Sequence, residues 1–442
     1  MTSVRERFFD LAGGVLASLR GGEVGSLSLR GERSSFARLN HARVRQAGDV
    51  AQDVVELTLV TGARHASAAY TLSGREDDDA AMLRASLSEL RAIAAALPDD
   101  PHLLYCTDPR ESTIVEPDEL PEAGEALRTI LELGRGHDLV GHFASGALHR
   151  GFASSLGHRL WHTSHSFHLD FSLYAERDKA AKSLYAGTRF SPSALEAKIG
   201  AAARQVAILR RPERRIDPGG YRVFLTASAL SEILGLLAYS AFGVKSHRTK
   251  QTALLRMLDG GAALDPRVSL TEDATTGVAP RFSASGFAHP ERVELLREGR
   301  LTGALISPRS AREYGLSPNA GKTERPSALA MAPGELPERD VLRTLGTGIY
   351  VTDTWYTNYS DLASARITGM TRFATMWIED GEPVAPLAVM RFDDSIYRML
   401  GSELETLTAE REWMLDGGTY FERSTDSYLL PGALLRSMTF TL

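Results

Sequence analysis

Residues 227–242 read ASALSEILGLLAYSAF, and the fold of the second half of the chain turns on them. Leu230, Ile233, Leu234, Leu236 and Leu237 leave little polar face, so the segment reads as a helix from about Ala227 to Phe242 that is buried or packed at an interface. Glu232 is its only charge. A carboxylate in such surroundings costs several kcal/mol unless it is paired or hydrogen-bonded. Two placements answer that cost. One is the first helical turn, where backbone N–H groups or a solvent-facing gap receive it; the other is the wall of a cleft.

Upstream, YRVFL (221–225) is a short apolar strand. Before it, RRPERRIDPGG (210–220) is charged and closes on Pro218, Gly219 and Gly220, the composition of an exposed connection. It divides the chain into residues 1–217 and 218–442. The first part mixes element types. Val4, Phe8, Leu11, Val15 and Leu19 recur at helical spacing, and Val55, Leu57 and Leu59 alternate as in a half-buried strand. Asp77, Asp78 and Asp79 precede Leu83, Leu87, Leu90 and Leu97 and are followed by Pro98, so a helix starts on acids and stops at the proline. Further helices are expected from about Glu122 to Leu133 and from Ser191, an N-cap followed by Pro192, to Arg210. Beyond the helix at 227–242, ALISP, GIYVTDTWY, ARITGM and RFATMWIEDGEPVAPLAVMRF are rich in β-branched and aromatic residues with glycine turns. The expected architecture is α+β, with a mixed first domain and a strand-rich second.

Composition narrows the function. The 442 residues carry 50 Lys and Arg against 56 Asp and Glu, a net charge of −6, so no global basic excess recruits nucleic acid. The single cysteine, Cys106, cannot close an internal disulfide and excludes a thiolate-rich metal centre built from this chain alone. A reducing cytoplasm is the simplest home. No apolar run reaches bilayer length, so a soluble protein is expected.

Familiar catalytic templates fail. There is no G-x-S-x-G elbow. In the segment ending Asn319-Ala320-Gly321-Lys322-Thr323, a phosphate loop needs glycine at 316, where leucine stands. Gly346-x-Gly348 lacks a third glycine and runs into a strand. Half of the histidines lie between His142 and His168. In WHTSHSFHLDF, read as a strand, Trp161, Thr163, His165, Phe167, Leu169 and Phe171 share one face and His162, Ser164, Ser166, His168, Asp170 and Ser172 the other. His162 and His168 would then be ~20 Å apart, too far to share one ion, and His168 with Asp170 needs a third ligand from elsewhere. The expectation is a polar, solvated sheet face with a semi-buried His165.

Several stretches, taken in order, resemble the TldD/PmbA family of metallopeptidase-related proteins. They are SFARLNHARVRQAG (35–48), GFASSLGHRLWHTSHSF (151–167), VSLTEDATTG (268–277), ELLREGRLTGALISPRSAREYGLSPNAG (294–321) and ITGMTRFATMWIEDGEPVAP (367–386), around the helix at 227–242. Active members of that family carry H-E-x-x-G-H on this helix and a later cysteine, which together hold zinc while the glutamate serves as general base. Here the stretch reads S-E-I-L-G-L. Glu232 and Gly235 remain, Ser231 and Leu236 stand in the histidine positions, and the second half holds no cysteine. The resemblance is therefore to the E-type, PmbA-like branch. Met370 replaces an acid usual in the family's T-G-D-like segment, and the tail after about Glu403 follows the family pattern poorly.

That resemblance implies a two-domain fold and a chain with no zinc of its own, paired with a TldD-like subunit that supplies the metal and the hydrolysis. The pair would degrade unfolded peptides or trim leaders from ribosomally made peptide antibiotics. Ser231, Glu232 and Leu236 mark the vestigial site. Arg366 and Arg372, flanking a Thr368-Gly369 turn, are candidates for peptide or partner contacts, with ordinary surface charge as the competing reading. Two alternatives stay open: a metalloprotease whose metal has moved to the histidine-rich strand, and a homodimeric, non-enzymatic binding protein acting on a regulatory target such as a topoisomerase.

Overall fold

The computed structural model describes residues 3–176 and 178–441. Seven strands make the first sheet: β1 (Glu23–Asn40), β2 (Arg43–Thr61), β3 (Arg64–Thr71), β4 (Glu111–Val115), β5 (Asp138–Ser154), β6 (Arg159–Glu176) and β7 (Lys179–Gly187). Their order is β3-β2-β1-β5-β6-β4, and β7 pairs with β6 beyond the short β4. Alternation along the long strands puts Leu27, Leu29, Leu57, Leu59, Phe167, Leu169 and Phe171 on one apolar face, all fully buried.

Two helix pairs cover that face. Helix α1 (Val4–Leu16), opened by a Ser3–Glu6 capping box, and α2 (Glu76–Ala96) pack Phe8, Val15, Leu83 and Leu90 against one end. At the other end, α3 (Ala123–Leu133) and α4 (Pro192–Leu209) contribute Ile130, Ile199 and Val206. The Ser191 hydroxyl caps α4 by accepting from the Ala194 N–H, with Pro192 opening the helix.

The opposite face corrects the expectation of a solvated surface. His162, Ser164, Ser166 and His168 share a face as their spacing requires, but all four are buried. The second domain lies against them. His162 Nε2 is 3.2 Å from the Val278 carbonyl oxygen, and the guanidinium of Arg423 donates to the carbonyl and hydroxyl of Ser166 at 2.6 and 2.8 Å. A polar face tolerates this because the far domain supplies the hydrogen-bond partners that water would have given. Burial holds the His168 imidazole down to about 3, so it packs as a neutral ring. His165 is half-buried.

The second sheet has thirteen strands. They are β8 (Gly219–Leu225), β9 (Leu270–Asp273), β10 (Arg292–Arg297), β11 (Arg300–Leu301), β12 (Ala328–Met331), β13 (Gly348–Val351) and β14 (Asp353–Asp361), then β15 (Arg366–Arg372), β16 (Met376–Glu379), β17 (Glu382–Pro386), β18 (Arg391–Ser395), β19 (Leu404–Leu415) and β20 (Ser427–Phe440). The main path runs β11-β10-β9-β12-β20-β8-β13-β16-β17; β19 hangs on β20, and β14, β15 and β18 form a side branch. Helix α5 (Ala227–Ser240) follows β8 directly and packs on β14 and β20. Its Leu230, Ile233, Leu234 and Leu237 are fully buried in the largest apolar core. Thr226 caps it, accepting from the Ala229 N–H and donating to the Thr352 carbonyl at 2.7 Å.

Among the described residues no helix is long and apolar enough to cross a membrane. Asn319 is a structural residue, its side-chain amide accepting from the Ile306 N–H at 2.7 Å and donating to the Ala304 carbonyl at 3.0 Å.

Candidate functional site

A cleft of about 1320 Å³ opens between the two sheets. The first domain contributes β7 and the face of α4; the second contributes α5, the β13–β14 junction, β19 and the start of β20. Strands β7 and β19 each leave an edge free of strand pairing over part of their length, and both run along the cleft.

Helix α5 presents Ser231, Glu232, Gly235 and Leu236 to this space. The structure therefore brings the three vestigial residues together on one wall. Glu232 is not in the first helical turn, one of its two expected placements: the helix starts at Ala227, and Glu232 projects from the second turn into the cleft, exposed. Partial desolvation by the cleft walls raises its carboxyl pKa, opposed by the charge of Lys182. The Ser231 hydroxyl is spent on the Ser228 carbonyl at 2.7 Å, and Leu236 has no donor atom. These side chains do not fit a zinc ion, because one carboxylate replaces the three or four donors such a site needs. Among the described residues no group of three His, Cys, Asp or Glu is placed to hold a metal, and that includes the histidine-rich strand. There His142 and His168 meet at 3.3 Å, while His165 contacts the Glu116 carbonyl at 3.1 Å.

Two residues of the cleft, Asp353 and Lys182, escaped the reading of the sequence. Asp353, at the head of β14, is buried and accepts from the Ser228 hydroxyl at 3.0 Å; burial pushes its carboxyl up to about 7 against the pull of Lys182. Lys182 on β7 is ion-paired with Asp170 on β6 at 3.2 Å and lies 5.8 Å from the Phe373 ring centre. The only available signals were an acid two residues after the apolar run GIYV and a lysine in an alternating strand, and neither reports its neighbours.

The Arg366–Arg372 segment is strand β15 and not a turn at Thr368-Gly369, and none of it lines the cleft. Arg366 is ion-paired with Asp393. The Thr368 hydroxyl donates to the Phe392 carbonyl and accepts from Arg391. Gly369 is required by packing, since a Cβ there would stand 2.6 Å from the Phe392 ring. Arg372 lies over Trp355, 4.7 Å from the ring centre, and that tryptophan is 45% exposed.

Residues 218–442 match the family model for the PmbA/TldA metallopeptidase C-terminal domain, which puts the second domain in a class of metallopeptidase-related folds. The match includes the tail after Glu403, whose departures are therefore variation within the family domain. The chain belongs to the TldD/PmbA family. The whole fold is similar to TldE from Thermococcus kodakarensis, with a TM-score of 0.80 at 12% identity over 99% of this chain and 100% of that one. It is also similar to a candidate modulator of a DNA gyrase from Thermotoga maritima, with a TM-score of 0.78 at 14% identity over 98% and 100% of the two chains. A third similar structure is a candidate modulator of DNA gyrase from Bacteroides thetaiotaomicron, with a TM-score of 0.75 at 15% identity over 99% and 100%. No curated protein matches the sequence.

Proposed function

We propose that this chain is the E-type, non-catalytic subunit of a cytoplasmic heteromeric zinc metallopeptidase, handling peptides that a TldD-like partner cleaves. The carrying observation is the wall of α5, where a family scaffold keeps Glu232 and Gly235 but offers Ser231 and Leu236 in place of imidazoles. A lone carboxylate does not create a metal-activated hydroxide, so in this reading the zinc and the hydrolytic step belong to the partner. The cleft suits an extended peptide: free edges of β7 and β19 can offer backbone hydrogen bonds that do not depend on side-chain identity.

The test uses the full chain purified alone and co-expressed with a neighbouring H-E-x-x-G-H protein. Alone, it is expected to carry only trace zinc by elemental analysis and to show no chelator-sensitive peptidase activity. Co-purification and peptide cleavage appear only with the partner. Stoichiometric zinc in the lone chain would overturn the reading, and failure to find or bind any such partner would favour a homodimeric regulatory role.

A further inference from the structure

Successive side chains of a regular strand point to opposite faces, and β14 breaks that rule. Trp355 and Tyr356 are neighbours in sequence, yet their ring centres stand 4.2 Å apart with the planes 31° from parallel. Two departures from regular backbone allow this. The pairing of β14 with β15 shifts register between Trp355 and Asn358, which marks a bulge, and Tyr356 adopts a φ of 52°. Phe373, directly after β15, has a φ of 56°. A left-handed backbone is unfavourable for a bulky side chain. At Tyr356 burial does not offset it, because the residue is 68% exposed.

The rings are ordered and stand beside the cleft. Arg372 lies over both Trp355 and Phe373, 4.7 and 5.3 Å from their ring centres. Asp353 and Thr357, which flank the pair in β14, line the cleft. So does Lys182 of β7, whose ammonium is 5.8 Å from the Phe373 ring centre. An exposed aromatic pair fixed by a bulge is surface that a further ring covers well. A second cation is disfavoured there, since Arg372 and Lys182 already place positive charge against these rings.

We propose that Trp355 and Tyr356 form a subsite, beside the cleft, for an aromatic side chain of the bound peptide, with Arg372 positioning the rings. The subsite rests on the peptide-handling role proposed above and adds a side-chain preference to it. A peptide paired along the free edge of β7 runs past Lys182, which brings its side chains to the two rings.

Isothermal titration of the full chain tests this with seven-residue peptides, acetylated and amidated, whose central residue is Phe, cyclohexylalanine, Lys or Ala. The Phe peptide is expected to bind about tenfold more tightly than the Ala or Lys peptide, and about threefold more tightly than cyclohexylalanine, which has the bulk but no π face. Trp355 is the most exposed of the four tryptophans, so emission should shift to the blue when the Phe peptide binds, and the shift should vanish in Trp355→Phe. Glycine suits the left-handed backbone, so Tyr356→Gly should unfold at the same or a higher denaturant concentration while losing most of the Phe advantage. Equal binding of the Phe and Ala peptides, or of Phe and cyclohexylalanine, overturns the subsite and leaves peptide handling standing. A Phe advantage that survives both Tyr356→Gly and Trp355→Ala does the same. Loss of co-purification with a TldD-like partner in those variants, with no peptide preference in the parent chain, makes the rings a subunit contact and overturns the subsite. Failure of every peptide to bind overturns both readings.

Discussion

At the head of β14, Asp353 gives up water for the Ser228 hydroxyl and sits within reach of the Lys182 charge. Burial is the larger influence and lifts its carboxyl from 3.8 to about 7. The folded state thus holds the proton more tightly than the unfolded chain. The stability this contributes is complete below about pH 4 and is lost as the pH rises through about 7. At about 1.4 kcal/mol per pH unit, the loss has an upper limit of about 4 kcal/mol. Asp353→Asn should therefore flatten the fall in stability between those values, as followed by denaturant unfolding across pH; an unchanged pH profile would refute the burial argument. Glu232 was conspicuous in the sequence as a charge in an apolar helix. Lys182 and Asp353 were not, because they come from different strands, β7 and β14, and nothing in their own neighbourhoods marks them.

The helix–strand pair β8–α5 is the element on which both core and cleft depend. Leu234 is fully buried in the largest apolar core, with 0% of its surface accessible. Leu234→Ala should cost about 2–5 kcal/mol in chemical denaturation, the range for a buried leucine leaving a cavity. Thr226→Ala removes a cap worth about 1 kcal/mol and also the bond to the Thr352 carbonyl that ties the helix start to the cleft floor. A loss below about half a kcal/mol would show that the cap is not holding the helix. Periodicity identified this helix and its neighbour strand correctly because both properties are local. The Arg366–Arg372 segment shows the limit of local reading. Glycine and threonine suggested a turn, whereas Gly369 is there because the Phe392 ring of the adjacent strand leaves no room for a side chain.

Across the whole molecule, Arg423 joins the domains. It is 1% exposed, and besides Ser166 it donates to the Ser34 hydroxyl and the Gly146 carbonyl, each at 3.2 Å, while its backbone N–H reaches the buried Glu32. Burial lowers its pKa to about 10, which still leaves it charged. Arg423→Ala strands those partners and should cost about 3–5 kcal/mol. Calorimetry is expected to show a single unfolding transition becoming broader or splitting as the domains uncouple; a single unshifted transition would remove Arg423 from that role. The sequence by itself determined the α+β class, the helical and strand periods, the faces on which side chains lie and the missing histidines of α5, since each follows from backbone geometry or residue chemistry over a few positions. Only the tertiary structure decided that the histidine- and serine-bearing face of β6 is dry, and that Glu232 shares a cleft with Lys182 and Asp353. Whether a polar face meets water or another protein surface depends on groups far away in the chain, and folding alone brings them into place.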